Sequence, residues 1–198
     1  MDYTEIDKLI VLIQNIYEEI CAKWNAFYLG KPVNLKKKLV RDIRDDGSIF
    51  SYILAHRAFL AELFSTEQFS LPHVPNRIKT QNSLESKINR YIDNKPEHGL
   101  SPINKCVNDL FGIRIICDGE IDFEDLQNHI NCSYGLKCIN AAKADYIATH
   151  IYFKRDNYSF PWELQVWEKR YTDSNLISHH KYKQNYVLWE NEAKGGET

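Results

Sequence analysis

The 198-residue chain contains no run of about eighteen apolar residues, so no membrane-crossing helix is expected and no membrane partner. It also has no excess charge of either sign. Lys and Arg number 25 against 27 Asp and Glu, a net charge of −2, so nothing global points to nucleic acid or to a membrane surface, and any basic binding face must be local. There is no C-x-x-C pair. Five cysteines, Cys21, Cys106, Cys117, Cys132 and Cys138, are an odd number, which argues against a disulfide framework or a zinc site and for reduced thiols in a cytoplasmic protein. The opening Met1-Asp-Tyr-Thr-Glu5 is acidic and polar, unlike a secretory leader. No internal repeat and no low-complexity segment occurs. What remains is an ordinary globular composition, 43% hydrophobic and 26% charged, of a length that suits one generous domain or one domain with a helical extension.

Hydrophobic periodicity organises the chain. Ile6, Leu9, Ile10, Ile13, Ile16, Tyr17 and Ile20 fall at i, i+3, i+4 and i+7, which predicts a helix over residues 3–27 ended by Gly30-Lys31-Pro32. A second helix is expected from Ser48 as N-cap to Phe64, after a polar stretch carrying Lys36, Lys37, Lys38, Arg41 and Arg44. Pro72 and Pro75 mark residues 65–76 as a loop. A short helix should start at Asn82 or Ser83, because Asn82 with Glu85 has the form of a capping box. Ser101-Pro102 reads as the start of another. The apolar run Phe111–Cys117 reads as a buried strand, and Asp122 as the cap of a helix of about eight residues. Strands are expected near 134–143, 147–154 and 160–167, and a helix from Thr172 to Asn191. The pattern predicts an α+β fold: a mixed sheet of about four to five strands flanked by helices, with a helical extension over 1–70 and the main domain over 71–198.

Several clusters carry chemistry. Arg77 and Lys79 are two apart, so an extended chain points them the same way. Ser83 and Lys87 share a helix face, with Arg90 three further on, and the free N–H groups of a helix start add to such cations around a polyphosphate. A solvated charged helix is the alternative. Asp109, just before the strand, could ligate Mg²⁺ or form a turn. Arg114 inside an apolar strand needs a partner, for which a core carboxylate is the favoured structural choice. Alternation puts Glu163, Gln165 and Trp167 on one strand face and Trp162, Leu164 and Val166 on the other, and likewise separates His150, Tyr152 and Lys154 from Ile151 and Phe153. Two such strands suggest a polar sheet side lining a cleft, where Glu163 could serve as general base or metal ligand, or else a sheet face open to water. Tyr146 offers a ring for a base and His150 a phosphate contact. His179, Lys181 and Lys183 form a cationic cluster that either closes over phosphates or faces solvent.

In this order, over roughly half the chain from Arg77 to Lys183, the segments resemble the synthetase domain of the RelA/SpoT family, the GTP pyrophosphokinases. Arg77-Ile-Lys79-Thr-x-x-Ser83-x-x-x-Lys87 is similar to the family's ATP segment R-x-K-x-x-x-S-x-x-x-K. Asp109-Leu-Phe-Gly112-Ile-Arg114 is similar to D-x-x-G-x-R, Asp145-Tyr146-Ile147-Ala148-Thr149-His150 to G-Y-[RQ]-S-[LI]-H, Glu163-Leu-Gln165-Val to E-[VI]-Q-[IV], and His179-His-Lys181-Tyr-Lys183 to H-x-K-Y-K. The resemblance implies a nucleotidyltransferase-like fold and transfer of the β,γ-pyrophosphate of ATP to the 3′-hydroxyl of GDP or GTP. It implies that Arg77, Lys79, Ser83 and Lys87 bind ATP, that Asp109 and Glu163 are catalytic and hold Mg²⁺, and that Tyr146, His150, Gln165, His179, Lys181 and Lys183 bind the acceptor.

The departures fall on the acceptor side. Asp145 stands for the family's Gly, Ile147 for its basic or amide residue, and Trp167-Glu168 for its Arg-Thr. Small members of the family include toxins that pyrophosphorylate the 3′ end of tRNA and are held by an antitoxin protein, so tRNA is an alternative acceptor, with Lys36–Lys38, Arg41 and Arg44 as phosphate contacts. A catalytically inactive nucleotide-binding module is the third reading. The length leaves no room for the family's hydrolase domain, and no His-Asp dipeptide occurs, which matches the small alarmone synthetases, a class that often forms homo-oligomers.

Overall fold

The computed structural model describes residues 3–66, 71, 74–93 and 96–178. Its helices are α1 (Thr4–Phe27), α2 (Asp42–Asp45), α3 (Gly47–Ser65), α4 (Gln81–Asp93), α5 (Ile103–Cys106) and α6 (Phe123–Tyr134). Its strands are β1 (Asn76–Ile78), β2 (Phe111–Cys117), β3 (Lys137–Asn140), β4 (Thr149–Phe153) and β5 (Trp162–Glu168). They form one mixed sheet of five strands in the order β1-β2-β5-β4-β3. The fold is therefore α+β, as the pattern predicts. Among the described residues no helix is long and apolar enough to cross a membrane.

Two compact units divide the chain: Met1–Ile113 with Tyr152–Leu164, and Arg114–Ile151 with Gln165–Thr198. The first is built on the stripe of α1, which buries Ile6, Leu9, Ile10, Ile13, Ile16, Tyr17, Ile20, Cys21 and Trp24. Each such apolar side chain contributes about 1.5–3 kcal/mol when fully buried. Glu5 and Asp7 sit in the first turn, where acidic charge favours the positive end of the helix dipole. The Tyr17 hydroxyl donates to the Phe160 carbonyl at 3.1 Å and accepts the Arg155 N–H at 3.3 Å, tying α1 to the segment that leads into β5. Around them Trp24, Tyr52, Phe59 and Phe160 form an aromatic cluster, and Phe111 packs on Phe64 and Trp162.

α3 is capped by Asp46, whose carboxylate accepts from the Ser48 N–H at 3.0 Å. The expected cap, Ser48, lies inside the helix because Asp46 supplies the stronger, charged acceptor two residues earlier. α2 was not foreseen; it is a single turn in the polar stretch. α4 begins earlier than the Asn82 box implies, since Thr80 Oγ1 accepts from the Ser83 N–H at 3.3 Å and the Leu84 N–H bonds back to the Thr80 carbonyl. Gln81, inside the first turn, bonds Glu85 instead. β1 pairs antiparallel with β2, with Arg77 opposite Gly112.

In the second unit, Asp122 caps α6 through the Asp125 N–H at 2.9 Å, as expected, but α6 runs twelve residues to a left-handed Gly135. Leu126 and Ile130 are its buried face, and Gln127 donates to the Cys138 carbonyl of β3 at 2.8 Å. Residues 172–178 are helical. There the fully buried Asn175 makes paired 2.8 Å bonds with the backbone N–H and C=O of Ile147, so a side-chain amide completes an unpaired backbone edge.

Candidate active site

In the first unit the end of β1, the middle of α4 and the segment just before β2 bring together Lys79, Lys87 and Asp109. Lys79 Nζ lies 2.7 Å from one carboxylate oxygen of Asp109 and Lys87 Nζ 2.9 Å from the other. Lys87 also donates to the Asn108 side chain at 3.2 Å. All three charged side chains are largely buried, at 11%, 12% and 17% exposure. Burial pushes the Asp109 pKa up, but the two ammoniums outweigh it and hold the carboxyl far below its usual range. For Lys87 burial is outweighed by Asp109 and the ammonium is favoured; for Lys79 burial prevails over the attraction of Asp109 and moves its pKa down. The group as a whole carries two positive charges against one negative, with Lys87 in the middle of α4 and Lys79 two residues before the helix.

The reason for the arrangement is local. The Lys79 N–H bonds the Leu110 carbonyl at 2.8 Å, which pins the end of β1 beside Asp109, and Arg57 Nε donates to the Lys79 carbonyl at 2.8 Å. Lys87 stands on the α4 face between buried Leu84 and Ile88. Arg77 is exposed on β1, its side chain running across Gly112, where a Cβ would come within 3.9 Å of it. Ser83 is exposed in the first turn of α4.

Glu163 is 4% exposed and accepts a hydrogen bond from the Tyr152 hydroxyl at 3.0 Å. The expected alternation holds in direction, but β5 is buried along its whole length, so its Glu163 side is not a face open to water. A central strand with both faces covered explains this: Glu163 and Gln165 are core polar residues with partners. Asp109 and Glu163 are hard oxygen donors of the type that suits Mg²⁺, but both Asp109 oxygens are held by Lys79 and Lys87 and one Glu163 oxygen by Tyr152, so Asp109 would have to release an ammonium to ligate a metal. Among the described residues no group of three or more His, Cys, Asp and Glu could hold a metal ion by itself.

In the second unit Arg114, Tyr146, His150, Gln165 and Trp167 gather. Arg114 donates through Nε and an Nη to Gln165 Oε1 at 3.3 and 3.2 Å and lies 3.6 Å from the centroid of the buried Trp167 ring. The Trp167 indole N–H donates to the Tyr146 hydroxyl at 3.3 Å, which in turn pairs with His150 Nε2 at 2.9 Å. Because its oxygen accepts from Trp167, the Tyr146 hydroxyl keeps its hydrogen available for His150 Nε2. Pairing of Arg114 with Gln165 and of Tyr146 with Trp167 was missed in the sequence; the one signal was that Gln165 and Trp167 share the β5 face. Likewise Tyr152, noted only for its face, is the partner of Glu163. His179, Lys181 and Lys183 lie outside the described residues.

No protein-family model and no curated protein matches the chain. Among solved structures it is similar to the small alarmone synthetase 1 from Bacillus subtilis, with 17% identity, a TM-score of 0.40, and 76% of this chain and 90% of that chain covered. It is also similar to the small alarmone synthetase 2 from Bacillus subtilis, with 17% identity, a TM-score of 0.34, and 75% and 83% covered. A third is the small alarmone synthetase 1 bound to AMPCPP, with 15% identity, a TM-score of 0.33, and 74% and 84% covered. In structure, the chain is similar to small alarmone synthetases.

Proposed function

We propose that the protein is an ATP-dependent pyrophosphokinase that transfers the β,γ-pyrophosphate of ATP to the 3′-hydroxyl of GDP or GTP, making the alarmones ppGpp and pppGpp. The observation that carries this reading is the buried Lys79–Asp109–Lys87 group. Two ammoniums held on one ionised carboxylate form a preorganised polyphosphate site, and burial strengthens their pull on the incoming negative charge. Arg77 and the Ser83 hydroxyl stand on the same strand–helix segment and extend the contact.

Pyrophosphoryl transfer asks mostly for positioning and charge neutralisation. The 3′-oxygen forms a bond to the β-phosphorus, the bond from that phosphorus to the α,β-bridging oxygen breaks, and AMP leaves. Glu163 takes the proton of the 3′-hydroxyl, and Tyr152 fixes which carboxylate oxygen is free to do so. Asp109, once a phosphate has drawn a lysine from it, and Glu163 would hold Mg²⁺, which would supply further charge neutralisation. Tyr146, His150 and Gln165, with His179, Lys181 and Lys183, would hold the acceptor.

A second reading, transfer to the 3′ end of tRNA, is favoured by one observation. Trp167 occupies the Arg114 guanidinium face and the Tyr146 hydroxyl, so the acceptor-side residues engage each other through the residue that departs from the family pattern. The test is AMP release from ATP and Mg²⁺ with GDP, GTP or deacylated tRNA as acceptor. Guanine-nucleotide dependence supports the first reading and tRNA dependence the second. Glu163→Gln should lower AMP release at least about a hundredfold while ATP still binds. Undiminished release would refute the assignment of Glu163.

A further inference from the structure

The first unit holds a cavity of about 840 Å³ that the reading above does not use. It lies among the end of α1, the segment after it, the start of α3 and the turn at 156–159, and it shares no lining residue with the Lys79–Asp109–Lys87 group or with the Tyr152–Glu163 pair. Its size falls in the range of small-molecule sites.

One wall is a preset aromatic surface. Trp24, 4% exposed, stacks on Tyr28 with ring centroids 4.9 Å apart and planes 22° from parallel. Tyr52 meets the same Tyr28 ring edge-on at 4.9 Å and accepts the Trp24 indole N–H at 3.3 Å. Gly30 closes against that ring from the chain side: a Cβ there would lie 2.7 Å from Tyr28 atoms. Tyr28 thus has little freedom, and the aromatic wall it forms with Trp24 is set before any ligand arrives. Tyr158, 47% exposed, lines the same cavity.

The charges are unbalanced in what they can still bind. Asp46 is taken up by the Ser48 N–H and hydroxyl at 3.0 and 2.6 Å. Asp156 accepts from the Tyr158 N–H, the Ser159 N–H and the Ser159 hydroxyl at 2.8, 2.8 and 2.7 Å. These bonds use one oxygen of Asp46, while Asp156 also accepts from Arg155 Nε at 3.4 Å; both carboxylates keep their charge, so the cavity's excess is three lysines over two carboxylates. Lys31, Lys37 and Lys38 are exposed at the same cavity, and among the described residues none of them is in a salt bridge. Ammoniums of this kind bind phosphate as point charges, and an aromatic face stacks on any base.

We propose that this cavity binds a phosphorylated aromatic ligand, a nucleotide either free or at the end of an RNA strand, with its ring on the Tyr28 and Tyr158 side and its phosphate on Lys31, Lys37 and Lys38. The site stands apart from catalysis: a chain that released no AMP could still bind here, and an active chain could fail to.

The test follows indole N–H signals of ¹⁵N-labelled full-length protein during titration with GMP, AMP, inorganic phosphate and a short single-stranded RNA ending in CCA. Trp24 reports the cavity, whereas Trp162 and Trp167 report β5. A saturable shift of the Trp24 signal is expected with a nucleotide or with the RNA, whichever binds more tightly naming the source. The double variant Lys37→Glu/Lys38→Glu, which alters only exposed side chains, should weaken that midpoint at least tenfold. Gly30→Ala should weaken nucleotide more than phosphate, because it displaces the Tyr28 ring. An unmoved Trp24 signal, an unchanged midpoint in the double variant, or phosphate binding as tightly as nucleotide would each overturn the proposal.

Discussion

His56 sits on α3 with its ring stacked on Phe160, centroids 4.0 Å apart and planes 8° from parallel, and edge-on to Trp24 at 4.8 Å. Neither ring nitrogen has a hydrogen-bond partner among the described residues, and the residue is 3% exposed. An imidazolium there would be a bare charge in an aromatic core, so burial pushes the pKa from 6.5 down to about 3. Between those pH values the unfolded chain binds a proton that the folded chain refuses. Stability contributed through this ring is therefore complete above pH 6.5 and falls as the pH drops toward 3. Each pH unit in that window is worth about 1.4 kcal/mol, so at pH 5 the loss is about 2 kcal/mol. Phenylalanine at 56 keeps a flat ring on Phe160 and removes the titration. Urea unfolding of both chains at pH 7.5 and pH 5 is the assay. Other titrating groups contribute alike to both, so His56→Phe should gain about 2 kcal/mol relative to wild type on going to the lower pH. With a urea dependence of roughly 2 kcal/mol per molar, that is a relative midpoint shift of about 1 M. Parallel pH dependence in the two chains would refute the reasoning.

Three further outcomes are expected. Asp109→Asn leaves two adjacent buried ammoniums without their counter-charge and should cost about 3 kcal/mol of unfolding free energy, together with most ATP binding; denaturant titration and calorimetric ATP binding check the two losses separately. Gly135→Ala places a side chain at φ 63° where nothing lies within 4 Å of the new Cβ, so thermal unfolding should show a purely conformational cost of about 1 kcal/mol. Trp167→Phe keeps an aromatic face under Arg114 and removes the N–H donor to Tyr146; the KM for the acceptor should change several-fold while that for ATP stays put, and an equal change in both would place Trp167 outside acceptor binding.

Local rules made much of the architecture legible in the sequence. The 3.6-residue stripe from Ile6 to Ile20 specifies α1 because only one helix face can bury it. The β-branched run around Ile113 specifies β2, and Asp122 caps α6, since each of these depends on neighbours within a few residues. The cap of α4 moved to Thr80 and that of α3 to Asp46 because two acceptors a residue or two apart compete, and tertiary packing selects between them. Residue types and spacing made Lys79, Lys87 and Asp109 candidates for phosphate and metal chemistry, beside a solvated helix face and a turn. That both lysines clasp the same carboxylate was not legible there, because their approach depends on the pairing of β1 with β2, a contact between residues more than thirty positions apart in sequence. The burial of β5 along both faces, the transfer of Arg114 to Gln165 and Trp167, and the unpaired ring of His56 in an aromatic core are likewise decisions of long-range packing. Sequence by itself determined element types and the chemical inventory, which are set by periodicity and side-chain chemistry. Tertiary structure alone decided which charges meet, which are neutralised and which, like Lys37 and Lys38, are left at a cavity, because those depend on distances that only the folded chain defines.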